Sequence, residues 1–194
     1  MGRAAAASGR SPLAMLIRPC CLADAPEIAA LAGELGYPSD TAQVAARLAR
    51  LLGQADGAVL VAAVDEHQPE GAAGAAADAG VAGWIHVREM LTPESDAFAE
   101  IAGLVVTAAR RGQGIGRALV AAALGWAAGR GLPTVRVRSN TVRTETHRWY
   151  EAAGFTRTKT QAVFSRPSAG GFPSSPSGPN GAPAPAAGRS GRHD

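Results

Sequence analysis

Residues 99–122 read AEIAGLVVTAARRGQGIGRALVAA: an apolar strand, a knot of arginine and glycine, then an amphipathic helix. No other stretch constrains the chain as much. Arg110 and Arg111 stand side by side although like charges repel. Gly112, Gly114 and Gly116 sit at the helix start, although a helical glycine is worse than alanine by roughly 1 kcal/mol. A ligand can compensate for both. A helix N-terminus carries unpaired N–H groups and about half a positive charge. Glycines ahead of it let a ligand approach the backbone without Cβ obstruction, and arginines add forked donors suited to phosphate oxygens. The combination describes an anion cradle, most economically for a pyrophosphate. The plainer alternative is a tight strand-to-helix turn with solvated arginines.

The usual nucleotide patterns do not fit. A dinucleotide fingerprint after Gly112 and Gly114 requires a third glycine where Arg117 stands. A P-loop needs Gly-Lys followed by Ser or Thr, which is absent. An NADP-type binder, helped by Arg136 and Arg138, fails on the same glycine spacing.

Around this junction the elements alternate. A strand is expected at about 14–19. Asp24 and Glu27 have capping-box spacing, and Ile28, Leu31, Ala32 and Leu35 share the face of the helix that follows. A second helix after Ser39 or Asp40 buries Val44, Leu48, Leu51 and Leu52. AVLVAAV and VAGWIHV read as a hairpin around a long loop at 65–80. A strand at 98–106 leads to a helix at 112–130 through Ile115, Leu119, Ala122 and Trp126. TVRVRSN is a half-buried strand, TETHRWYEAAG a short helix stopped by Gly154, and two strands follow at about 155–158 and 160–165. This order predicts a mixed sheet with helices on it, in the α/β class.

At 194 residues the chain supports one domain with a sizeable core. That domain is expected at 15–165. Residues 166–194, rich in proline, glycine and serine, read as a disordered tail. Residues 1–14 precede a more usual-looking start at Met15 and read as a disordered or misassigned extension. A net charge of +3 without a long basic run argues against a nucleic-acid partner. Cys20 and Cys21 are adjacent, so no disulfide framework is expected. No Cys/His set has zinc-ligand spacing, no apolar run approaches the ~20 residues of a membrane helix, and Leu13–Ile17 is too short for a signal peptide. The expectation is a cytoplasmic protein with no metal and no membrane partner.

Four features together carry a family resemblance: Arg111-x-x-Gly114-x-Gly116, the preceding LVV, Ser139–Asn140 at the end of the next strand, and HRWYEAAGF at 147–155. Their order and spacing over roughly residues 15–165 resemble the GNAT N-acetyltransferase superfamily. The resemblance implies the acyl-CoA N-acyltransferase fold, an α/β structure with a mixed, mostly antiparallel central sheet flanked by helices. It implies acetyl-CoA as cosubstrate, its pyrophosphate held by Arg111 and the backbone of Gly112, Gln113, Gly114, Ile115, Gly116 and Arg117. Leu104, Val105 and Val106 would run beside the pantetheine arm, with an amide near Val106 polarising the thioester carbonyl. Asn140, from a splayed fifth strand, and His147 and Tyr150, from the closing helix, would complete the cofactor side.

The acceptor so implied is the primary amine of a small molecule or peptide. A lysine-like amine, with pKa near 10.4, needs about 4.6 kcal/mol to be neutral at pH 7, so a positioned base is useful. The resemblance gives that role to Glu100, within an FAEI like that of the histone-acetylating branch, and the general-acid role to Tyr150. Strand alternation predicts Glu100, Ala102, Leu104 and Val106 on one face. Otherwise Glu100 pairs with an arginine of the next strand, and Tyr150 only packs its ring. The first two helices and residues 88–98 would shape the acceptor pocket, where Glu34, Tyr37, Asp40, Glu89, Glu94 and Asp96 would favour a cationic amine. Trp84 and His86 share the strand face nearest that pocket, with core packing the simpler role for Trp84. A non-catalytic acyl-CoA sensor is the alternative function, and a homodimer, common in the family, is left open.

Overall fold

Five strands form one sheet in the order β1-β2-β3-β4-β5 in the computed structural model, which describes residues 15–64 and 80–167. The strands are β1 (Met15–Pro19), β2 (Gly57–Val64), β3 (Gly80–Thr92), β4 (Ser95–Val106) and β5 (Val135–Val137). The helices are α1 (Ala25–Glu34), α2 (Thr41–Leu51), α3 (Ile115–Gly129) and α4 (Thr144–Ala152). The first four strands pair antiparallel, whereas β5 runs parallel to β4. A parallel neighbour needs a crossover, and α3 supplies it. The sheet is therefore mixed and mostly antiparallel. The expected extension 1–14, the loop tip at 65–79 and most of the expected tail lie outside the described residues. No helix among the described residues is long and apolar enough to cross a membrane.

Helices cover both faces of the sheet. Ile115, Leu119, Val120 and Ala123 of α3 pack with Ile85, Val87, Ala99 and Ile101 on one face. Ile28 and Leu31 of α1, with Val44 and Leu48 of α2, pack with Val59, Val61, Val81 and Val105 on the other. Asp40 caps α2 by accepting from the Gln43 amide at 2.7 Å. Asp24 does not form the box expected with Glu27. It accepts instead from the Cys21 amide at 2.8 Å and pairs with Arg18 at 2.7 and 2.8 Å, tying β1 to the start of α1. Leu52, expected on the buried stripe of α2, lies just beyond its last turn and is exposed.

Three further expectations are corrected. The helix expected from 112 begins at Ile115, because Gly112 and Gly114 take positive φ values of 76° and 83° that no helix contains. Residues 88–98, which the sequence reads as the loop between the third and fourth strands, are instead strand: β3 and β4 continue through them and turn at Pro93 and Glu94. The strands expected at 155–158 and 160–165 are absent; residues 155–167 have no regular structure and 156–167 are exposed. Alternation stabilises a strand only where one side can be buried, and Val163 and Phe164 have no such cover. The chain divides into two units after Arg157.

Candidate active site

The arginine–glycine junction folds as a short 3-10 turn (Ala108–Arg110) and a loop that delivers the start of α3. Gly112 and Gly114 need their left-handed backbone, and a Cβ on either would meet nothing within 4 Å, so the space above the loop is open. Gly116 is needed for another reason: a Cβ there would lie 3.0 Å from Trp149 of α4. The first hydrogen bond of the helix is Ala118 N–H to Gly114 C=O, which leaves the amides just before it without helical partners. Arg111 Nε donates to the Val106 carbonyl at 3.3 Å, and its Nη2 lies 3.8 Å from Glu34. Glu34 itself accepts from the Ala108 amide at 2.7 Å and the Thr107 hydroxyl at 2.8 Å, which holds its carboxyl below the usual range. Glu34, which the sequence grouped with the acceptor-binding carboxylates, thus braces the loop.

Beside this loop β4 outruns its parallel partner. β5 pairs only with Ala99–Ile101, and among the described residues no strand lies on that edge from Ala102 to Val106. At the same place β4 carries a bulge. Val87 pairs with Ile101 but His86 pairs with Gly103, so Ala102 is an extra residue. The bulge overturns the expected alternation. Glu100 shares its face with Gly103 and Val105, on the α1–α2 side, whereas Leu104 and Val106 pack on the α3 side.

Glu100 is 14 % exposed, and its Oε2 lies 3.1 Å from Arg138 Nη2. The pairing with an arginine of the neighbouring segment, weighed against a base role above, is therefore formed. Tyr150 is buried on α4, edge-on to Trp149 and Phe155 at centroid distances of 5.0 and 5.4 Å. Burial pushes its phenol up to about 12, so it carries its proton at neutral pH. Asn140 accepts from the Val142 amide through Oδ1, and His147 Nε2 lies 3.0 Å from the Asn140 carbonyl. Both residues shape the turn into α4.

Between α1, α2 and the sheet lies a cavity of about 350 Å³ that reaches Ala102 and Gly103 at the bulge. Ile28, Leu35, Leu51 and Val59 give it apolar walls; Trp84, His86, Tyr37 and Arg47 also line it. The Trp84 ring lies over Gly103, and its buried Nε1 has no hydrogen-bond partner among the described residues. Burial first, then the nearby Arg88, hold His86 below its ordinary value of 6.5 despite Asp56, so its imidazole is neutral at pH 7.

The model of the acetyltransferase (GNAT) family matches residues 35–155, more than half of the chain. The chain belongs to the GNAT acetyltransferase family. Solved structures share this GNAT fold at low identity. An aminoglycoside N-acetyltransferase in complex with CoA is 18% identical, with a TM-score of 0.65, covering 80% of this chain and 96% of that one. An aminoglycoside 6'-N-acetyltransferase from Acinetobacter baumannii is 18% identical, with a TM-score of 0.64, over 79% and 98% of the two chains. A transcriptional regulator from Bacillus halodurans is 22% identical, with a TM-score of 0.63, over 78% and 99%. No curated protein matches.

Within this GNAT domain, the site residues read from the sequence fall into separate groups. Arg111, Gly112, Gln113, Gly114, Ile115, Gly116 and Arg117 form one loop and helix start, directly after Leu104, Val105 and Val106. Tyr150 and His147 stand on α4, whose Trp149 packs against Gly116. Glu100 does not line the cavity, whereas His86 does. Sequence reasoning missed Arg47 and Gly103. A glycine inside a strand marks a bulge or a close approach, a signal present at Gly103; nothing marked Arg47.

Proposed function

We propose that this GNAT domain is an acetyl-CoA-dependent N-acetyltransferase that moves the acetyl group directly to a primary amine of a small molecule or peptide. One observation carries the reading. Gly112 and Gly114 adopt positive φ under open space, at a helix start flanked by Arg111, an arrangement that suits a diphosphate. The fold neighbour in complex with CoA supports it. Bound acetyl-CoA supplies a thioester carbonyl open to attack by an amine.

The chain's residues do the rest. Free amides at the start of α3 and the Arg111 guanidinium bind the diphosphate. The unpaired β4 edge at Leu104, Val105 and Val106 aligns the pantetheine arm, and an amide there polarises the carbonyl oxygen. Tyr150, protonated at neutral pH, hands its proton to the departing sulfur. Glu100 takes the proton of the attacking amine. A second reading gives that step to His86, because His86 lines the cavity and is neutral whereas Glu100 is held by Arg138.

Thiol release from acetyl-CoA over an amine panel, with calorimetry for coenzyme A, tests the reading. Glu100→Gln is expected to slow turnover about 10²-fold at neutral pH with CoA affinity retained. If His86→Gln shows that loss and Glu100→Gln does not, the imidazole is the base. Binding without thiol release on any amine makes the chain a sensor. Absence of affinity for CoA and its acyl esters ends the proposal.

A further inference from the structure

The cavity between α1, α2 and the sheet carries information on which amine is used; this inference rests on the transferase reading above. Of the carboxylates that the sequence placed around the acceptor, Glu34, Asp40 and Glu89 have other partners. Glu34 is held by Thr107 and Ala108, Asp40 caps α2, and Glu89 lies 3.4 Å from Arg130. Among the described residues no aspartate or glutamate lines the cavity. Its charged group is Arg47, which is exposed, with Nη1 donating to Ser39 Oγ at 2.8 Å and no carboxylate partner among the described residues. The walls are aliphatic and indole.

We propose that the acceptor is a small primary amine with an apolar body and an anionic group, as in an α-amino acid with an aliphatic or aromatic side chain. Its carboxylate meets Arg47, and its apolar body fills the space against Leu35, Leu51 and Trp84. The volume of about 350 Å³ lies near the floor of the range of small-molecule sites, roughly 300–1,000 Å³, and holds one residue-sized molecule. A polycation fits badly: Arg47 repels it, no carboxylate receives it, and apolar walls desolvate its charges without return. Transfer to the proposed acceptor forms one N–C bond and breaks the C–S bond. One amine proton passes to the base and the sulfur gains one, so no further reactant is needed.

The test measures acetyl-CoA thiol release with matched probes: phenylalanine against phenethylamine, leucine against 3-methylbutylamine, and spermidine and neamine as polycations. The native chain is expected to prefer the carboxylate-bearing member of each pair by about tenfold in kcat/KM, the scale of a charge-assisted hydrogen bond. Arg47→Ala is expected to erase that ratio through KM, and Arg47→Lys to restore part of it. Equal use of both members of each pair, a ratio insensitive to Arg47, or a preference for spermidine or neamine overturns the proposal. In those cases amines are still acetylated and the transferase reading stands. Loss of all CoA affinity removes both.

Discussion

Replacing Gly103 by alanine probes the wall that joins the β4 bulge to the cavity. A Cβ at this position would lie 2.7 Å from Trp84 Cζ3 and 2.8 Å from Cη2. Carbon pairs rest at about 3.5–4.0 Å, so the indole edge must retreat by about 0.7–1.3 Å. Overpacking of this kind destabilises by about 1–3 kcal/mol. With about 2–4 °C per kcal/mol for a domain of this size, the thermal midpoint should fall by about 2–12 °C. The displaced ring lines the cavity, so KM for the acceptor should rise while affinity for CoA is kept. Thermal melts, calorimetry with CoA and steady-state kinetics read the three effects. Gly125 serves as control. It is exposed within α3 and its Cβ would meet nothing within 4 Å, so alanine there should stabilise by about 0.8–1 kcal/mol. If Gly125→Ala behaves so while Gly103→Ala melts and turns over like the native chain, the Trp84–Gly103 contact does not shape the site.

Other perturbations separate the remaining parts. Arg111→Ala should weaken CoA binding more than tenfold by calorimetry, the scale of a lost charge-assisted phosphate contact. Tyr150→Phe should lower kcat by about 10²-fold or more. Burial pushes this phenol up to about 12, so turnover should hold past 10, the ordinary tyrosine value, and an alkaline limb at 10 that vanishes in the variant would contradict the burial of the phenol. Asp24→Ala removes one partner of a largely buried pair and should destabilise by about 3 kcal/mol in denaturant titrations. Burial alone would raise the Asp24 carboxyl, but the Arg18 contacts and the Cys21 amide prevail and lower it from 3.8 to about 2. Its stabilisation is therefore complete above 3.8 and is lost as pH falls towards 2, a decline the Asp24→Ala variant should not show in acid titrations.

The junction at 110–117 was legible because its signals are local. Positive-φ glycines and a helix start lie within one loop, and each residue's reason can be read from its neighbours. The helices were legible from period: Ile28 with Leu31, and Val44 with Leu48, are buried as their spacing requires. The facing of Glu100 was not, because alternation assumes an unbroken ladder and one extra residue at Ala102 exchanges the faces beyond it. The cavity was hidden for a different reason. Its lining comes from α1, α2, β2, β3 and β4, and whether Glu34 faces a ligand or the Ala108 amide is a tertiary fact. The absent strands after Gly154 show the converse: alternating sequence without a surface to cover stays irregular.

The extra residue at Ala102 has an evolutionary corollary. It separates two stretches of β4 whose in-and-out rhythms, counted along the sequence, are out of step, Phe98–Ile101 and Gly103–Val106. Deleting that one alanine would do more than shorten a strand. It would leave Ile101 opposite Val87 and Gly103 opposite His86 in a regular ladder, each side chain on its present face, and would remove the local bend and twist that the extra residue gives the strand beside the cavity. Drift that removed position 102 would therefore turn no side chain out of its layer; what it would cost is the curvature of β4 where the strand borders the cavity.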